Sequence, residues 1–129
     1  MDRPWETRSV AGEYDTLAPD GSEIRLLLQL RGGSLVHCSL PPGGVTRAVR
    51  HRSVEELWYF LSGAGQVWRK SEGAEEITDV RPGSALTIPL GTEFQFRTTG
   101  SEPLTFVITT MPPWPGPDEA VEVPGIWPT

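Results

Sequence analysis

Residues 41–68 read PPGGVTRAVRHRSVEELWYFLSGAGQVW. The opening Pro41-Pro42-Gly43-Gly44 is a turn signal, because proline fixes φ and glycine tolerates positive φ. A polar run carrying Arg47, Arg50, His51 and Arg52 follows, and Glu55-Glu56 leads into the apolar run LWYFL. Ser62-Gly63-Ala64-Gly65 then turns the chain into Gln66-Val67-Trp68. Turn, strand, turn and strand over so short a span predict an antiparallel β-hairpin within residues 45–71. Strand parity places Val49 and His51 on one face of the incoming strand, and Glu56, Trp58 and Phe60 on one face of the next.

The same period of two recurs outward from this stretch. Upstream, Ile24, Leu26, Leu28 and Leu30 alternate with Arg25, Leu27 and Gln29, and Arg31-Gly32-Gly33 turns the chain into a strand over 34–40. Downstream, strands are predicted over 75–80, 84–88, 93–98 and 104–110. They are punctuated by Arg81-Pro82-Gly83, Pro89-Leu90-Gly91 and Thr99-Gly100-Ser101. Phe94 and Phe96 share one face of their strand. About nine short, evenly spaced strands without helical periodicity predict an all-β fold, a two-sheet jelly roll or small barrel. Residues 1–22, broken by Pro4, Pro19 and Gly21, read as an arm with little structure of its own. Residues 23–111 form the barrel domain. Residues 112–129 read as a proline-rich extended tail, whose Trp114 and Trp127 pack on the barrel or on a partner subunit.

A chain of 129 residues makes one domain the default. Its 11 basic and 17 acidic side chains give a formal charge of −6, which repels phosphate backbones and disfavours nucleic-acid binding. The basic cluster Arg47, Arg50 and Arg52 has two readings: a solvated strand edge, or an anion clamp at a cavity mouth with Arg47 at its rim. No apolar run is long enough to span a membrane. The opening MDRPWETRSV lacks the apolar core of a secretory signal, so a cytoplasmic location is expected. A single cysteine, Cys38, leaves no intramolecular disulfide and no Cys-rich zinc motif.

Spacing in the central stretch resembles the first signature of the cupin superfamily: Gly43, five residues, Val49-Arg50-His51, four residues, Glu56, six residues, Gly63. The second signature is similar to Gly83, five residues, Pro89-Leu90-Gly91, two residues, Phe94, three residues, Thr98. The glycine and proline skeleton matches in both places. Val49 and Phe94 stand where the family carries two of its metal-binding histidines. The resemblance implies a jelly-roll barrel, a homodimer, and a cavity into which Val49, His51, Glu56, Trp58, Phe60, Phe94 and Phe96 point.

Such a cavity is apolar and aromatic with one imidazole and one carboxylate, the profile of a small-molecule pocket. In the favoured reading no cofactor is needed. Glu56 and His51 are the catalytic pair, moving a proton alpha to a carbonyl in isomerisation, cyclisation or dehydration of an apolar or aromatic metabolite, as in secondary metabolism. Val49, Trp58, Phe60, Phe94, Phe96 and Arg47 contact the substrate, which carries a carbonyl or carboxylate handle. The alternatives are a buried structural Glu56–His51 ion pair, a non-catalytic binding protein, and a metal-dependent enzyme. The last would hold zinc, iron, manganese or nickel on His51 and Glu56, with His37 as the natural third ligand.

Overall fold

Alternation along Glu55–Ser62 sorts its side chains into two rows. Glu56, Trp58 and Phe60 are buried, while Glu55, Leu57, Tyr59 and Leu61 face outward. The computed structural model describes residues 4–129, and the same sorting repeats through its strands. In chain order these are β1 (Thr16–Leu17), β2 (Glu23–Leu30), β3 (Gly33–Leu40), β4 (Val49–His51), β5 (Glu55–Ser62), β6 (Gly65–Ser71), β7 (Ala74–Val80), β8 (Ala85–Ile88), β9 (Glu93–Thr98), β10 (Leu104–Met111) and β11 (Ala120–Glu122). They form a six-stranded sheet, β1-β2-β3-β10-β5-β8, and a five-stranded sheet, β11-β4-β9-β6-β7. The described strand pairs are antiparallel, and the whole is the expected two-sheet jelly roll.

An aromatic cluster fills the space between the sheets. Trp58 and Phe106 lie 4.7 Å apart between ring centroids, Phe60 and Phe106 4.6 Å, and Trp58 and Phe96 5.3 Å. All four rings are almost fully buried, and each such side chain contributes roughly 2–3 kcal/mol by leaving water.

The predicted hairpin within 45–71 is not formed. β4 lies in the five-stranded sheet, β5 in the six-stranded sheet and β6 back in the first. Pairing β5 with β10 and β8, and β6 with β9 and β7, lets their apolar rows face each other across the core. Ser62–Gly65 therefore carries the chain from one sheet to the other. The hairpins close elsewhere, between β2 and β3 and between β6 and β7.

Both ends of the chain hold strands that the sequence hides. β1 pairs with the start of β2 inside the expected arm, whose first three residues lie outside the described residues. β11 pairs with β4, matching Ala120 to His51 and Glu122 to Val49. Beyond it, the buried Gln95 side chain straps the tail to the barrel: its amide donates to the Trp127 carbonyl at 2.8 Å, and its carbonyl accepts from Ile126 at 2.9 Å. Arg97 lies 4.4 Å over the Trp127 ring. No helix among the described residues is long and apolar enough to cross a membrane.

The signature glycines Gly43, Gly63, Gly83 and Gly91 all have positive φ. Gly63 is the most constrained, because a Cβ there would sit 2.3 Å from the Pro103 carbonyl oxygen at φ 78°. At Gly91 (φ 81°) a Cβ would meet open space. Gly63→Ala is therefore expected to lose roughly 3 kcal/mol in urea unfolding, from backbone strain and overlap together. Gly91→Ala is expected to lose only about 1 kcal/mol. Equal losses would contradict the close approach at the crossing.

Candidate functional site

β5 delivers Glu56 to the interior in the same row as Trp58, and β4 delivers His51 from the opposite sheet. Both line a cavity of about 880 Å³, together with Val49, Trp58, Phe94 and Phe96. The Glu56 carboxylate is held on both sides. The Trp58 indole N–H donates to Oε1 at 3.0 Å, and the Thr110 hydroxyl donates to Oε2 at 2.7 Å. Burial pushes its pKa up from 4.5 to about 7, against the pull of those hydrogen bonds and with the negative charges of Asp20 and Glu119 adding to the rise.

His51 Nδ1 lies 4.0 Å from Glu56 Oε1 and has no hydrogen-bond partner. Its ring meets Phe94 and Trp114 edge to face, at 5.2 and 5.4 Å. Burial lowers its pKa from 6.5 to about 4, although Glu119 pulls the other way. The imidazole is neutral at pH 7, so the 4.0 Å approach is not an ion pair at that pH. The structural ion-pair reading is set aside on that ground.

Three expected site residues lie elsewhere. His37 points away from the cavity, because its neighbours Val36 and Cys38 take the inward positions on β3; it lies in an outer hollow with Arg25 and Ser39. It therefore cannot meet His51 and Glu56. Arg47 is exposed and donates to the Pro19 carbonyl at 2.9 Å, so it tethers the arm and is not on the cavity wall. Phe60 is fully buried behind Trp58 (ring centroids 6.2 Å apart) and belongs to the core beneath the cavity.

The metal implied by the two signatures does not fit the donors present. Val49 and Phe94 face each other directly across β4 and β9, where two imidazoles would be needed. Both Glu56 oxygens already accept hydrogen bonds. Among the described residues no group of three or more His, Cys, Asp or Glu side chains could hold an ion.

Two groups escaped sequence reasoning. Glu119, in the short 3₁₀ turn Pro117–Glu119, is buried and accepts from the Ser53 amide at 2.7 Å, the Val54 amide at 3.0 Å and the Ser53 hydroxyl at 2.5 Å. Burial works to raise its pKa, but these bonds and His51 hold it below the ordinary value. Asp20 also lines the cavity; its one sequence signal was Pro19-Asp20-Gly21-Ser22, a turn in which an aspartate bonds two residues on. Cys38 faces the cavity too, but burial pushes its thiol well above the usual range, so it is not a nucleophile at neutral pH.

Residues 36–110 match the cupin domain family, more than half of the chain, and the protein belongs to that family. An uncharacterized protein of Methanocaldococcus jannaschii is 31% identical over 118 residues, covering 84% of this chain and 91% of its own. Among solved structures, a predicted oxalate decarboxylase from Thermotoga maritima superposes with a TM-score of 0.66 at 20% identity, over 83% of this chain and 98% of that one. The cupin domain of Schizosaccharomyces pombe Cnp3 gives 0.63 at 12% identity and covers 70% of this chain, which spans 64% of that domain. These structural likenesses establish the fold.

The two buried groups make opposite demands on stability. Native Glu56 keeps its proton up to about pH 7, while the unfolded chain releases it near 4.5, so this group's contribution falls as pH rises between those values. Native His51 stays neutral down to about pH 4 against 6.5 unfolded, so its contribution rises with pH over that window. Glu56→Gln removes only the first. Its stability relative to wild type is expected to grow by roughly 3 kcal/mol between pH 4.5 and 7 in urea unfolding. A difference that is flat with pH would mean that native Glu56 titrates at its ordinary value.

Proposed function

We propose that this chain binds a small apolar or aromatic molecule inside its barrel and moves a proton on it, as an isomerase, cyclase or dehydratase. One observation carries the reading: the Glu56 carboxyl group, with its pKa raised to about 7, stands in an aromatic cavity beside an unpartnered, neutral imidazole. A base whose pKa matches the working pH is ionised often enough to accept a proton and gives it back without a large barrier. The Glu56 carboxylate takes the proton alpha to a carbonyl; the C–H electron pair becomes the π bond of the new C=C, and the former C=O π pair moves onto the carbonyl oxygen. A neutral imidazole is well suited to hydrogen-bond that oxygen. Glu56 then returns the proton to the same or another carbon. Val49, Trp58, Phe94 and Phe96 hold the skeleton and exclude water.

A non-catalytic binding protein is the second reading, favoured by the hydrogen bonds that already engage both Glu56 oxygens. In either reading the chain works in the cytoplasm as a homodimer. The dimer is supported by the outward row Leu57, Tyr59 and Leu61, which is 49%, 49% and 44% exposed.

Deuterium exchange into the alpha positions of β-tetralone tests the proposal, with protein purified without added metal and treated with a chelator. Wild type is expected to accelerate exchange at neutral pH. Glu56→Gln should lose about a hundredfold or more of that acceleration, and His51→Ala about tenfold. Binding without exchange would favour the carrier. Exchange that needs stoichiometric metal, with the metal lost from both variants, would restore a metalloenzyme.

A further inference from the structure

The acid the sequence did not reveal gives the cavity a charge preference. Asp20 precedes β2 and is 9% exposed. Its Oδ1 accepts both the Ser22 amide at 2.9 Å and the Ser22 hydroxyl at 2.6 Å, which fixes the plane of the carboxyl group. No hydrogen bond among the described residues reaches Oδ2. Asp20 and Ser22 line the same cavity as Glu56 and His51, and the Asp20 charge is felt at Glu56 and Cys38.

No cation inside the cavity answers these acids. Arg8, the one arginine on its wall among the described residues, lies in the arm with its side chain 55% exposed, paired with Glu6 at 2.8 Å. Arg47 turns outward to Pro19; burial raises the Asp20 pKa, while the Ser22 bonds and the Arg47 charge, acting from outside the cavity, work to lower it. His51 is neutral at pH 7. The interior therefore offers the Asp20 and Glu56 carboxyl groups and aromatic rings, with the His51 Nδ1 atom also unpartnered. An anionic ligand would be desolvated here against like charges, with nothing to offset the loss. An ammonium group would gain a charge-assisted bond to the free Asp20 oxygen, and attraction to the faces of Trp58, Phe94 and Trp114.

We propose that Asp20 anchors the ligand of this cavity, and that this ligand is an organic ammonium on an apolar or aromatic skeleton. The inference rests on the cavity binding proposed above and narrows its substrate class. It replaces the carboxylate handle expected with Arg47, and it leaves the reacting carbonyl at the Glu56 end.

Calorimetric titration of the full chain at pH 7 with three compounds of one skeleton decides it: naphthylmethylamine, naphthylmethanol and naphthoate. The amine is expected to bind about tenfold tighter than the alcohol and about a hundredfold tighter than the carboxylate. Asp20→Asn should bring amine and alcohol within about threefold of each other, with the alcohol nearly unchanged. Perturbation of the Trp58 and Trp114 indole N–H resonances locates the site. Naphthoate binding as tightly as the amine overturns the inference, as does an amine preference that survives Asp20→Asn. If Asp20→Asn does not fold, the order of the three compounds on wild type is decisive by itself. Naphthoate that binds as tightly as the amine and shifts the Trp58 resonance refutes the role of Asp20 but leaves the cavity reading standing. Failure of all three compounds to bind sinks both.

Discussion

Taking the Glu56 carboxyl group out of water is the constraint on which this site depends. The carboxyl cannot move to solvent, because Glu56 shares its inward row with Trp58 and Phe60, and a one-residue slip of β5 would expose all three. The packing that stabilises the barrel is thus what strips the acid of hydration. Trp58 plays both parts, since its ring joins the core while its N–H donates to Oε1. Thr110 of β10 donates from the neighbouring strand, across the pair Thr110–Glu56. These two bonds keep the carboxyl oriented without restoring what burial removes, so the balance settles near neutrality.

His51 is held by a different part of the chain. β4 is only three residues long and pairs with β9 on one side and β11 on the other. The tail therefore completes the strand that carries the imidazole. Glu119 closes the connection from β4 to β5 by accepting from Ser53 and Val54, while Arg52 donates from its amide and guanidinium to the Glu119 and Asp118 carbonyls. Phe94 and Trp114 cover the ring edge to face. Glu119 alone would favour a protonated imidazole, but burial outweighs it and the ring stays neutral. The proline-rich tail is thus a structural wall of the site.

Period-two alternation was enough to read most strands and to group Val49 with His51, Glu56 with Trp58 and Phe60, and Phe94 with Phe96, because parity is a local property of the chain; that these faces look inward was implied by the family resemblance. The signature glycines were legible for a comparable reason, since positive φ is a local demand. What could not be read depends on partners distant in sequence. Whether Ser62–Gly65 closes a hairpin or crosses between sheets is decided by the loop ending at Pro103, against which Gly63 rests. β1 and β11 are two and three residues long and form through their neighbours. The inward face of β3 could not be assigned because Val36, Cys38 and Leu40 on one side and His37 and Ser39 on the other are similarly plausible as a buried row. Asp20 and Glu119 lay among turn residues, where acids are ordinary on the surface.

The exchange of histidines for Val49 and Phe94 reaches beyond those two positions. They form a direct cross-strand pair, so two apolar side chains meet where the family pattern places two ligands. The Phe94 ring then packs edge to face on Trp58 at 5.4 Å and on His51 at 5.2 Å. Trp58 in turn holds Glu56, and Trp114 closes on His51 from the tail. Restoring one histidine at position 94 would therefore not rebuild a metal centre. It would remove the ring that desolvates the site, while Glu56 stayed committed to Trp58 and Thr110. An apolar pair at the ligand positions is instead consistent with the acid above it: each aromatic contact that replaces a donor makes the cavity drier, and a drier cavity makes the Glu56 proton harder to release. Loss of the ligands and the raised carboxyl pKa follow from one physical cause, and on that cause the proposed proton transfer rests.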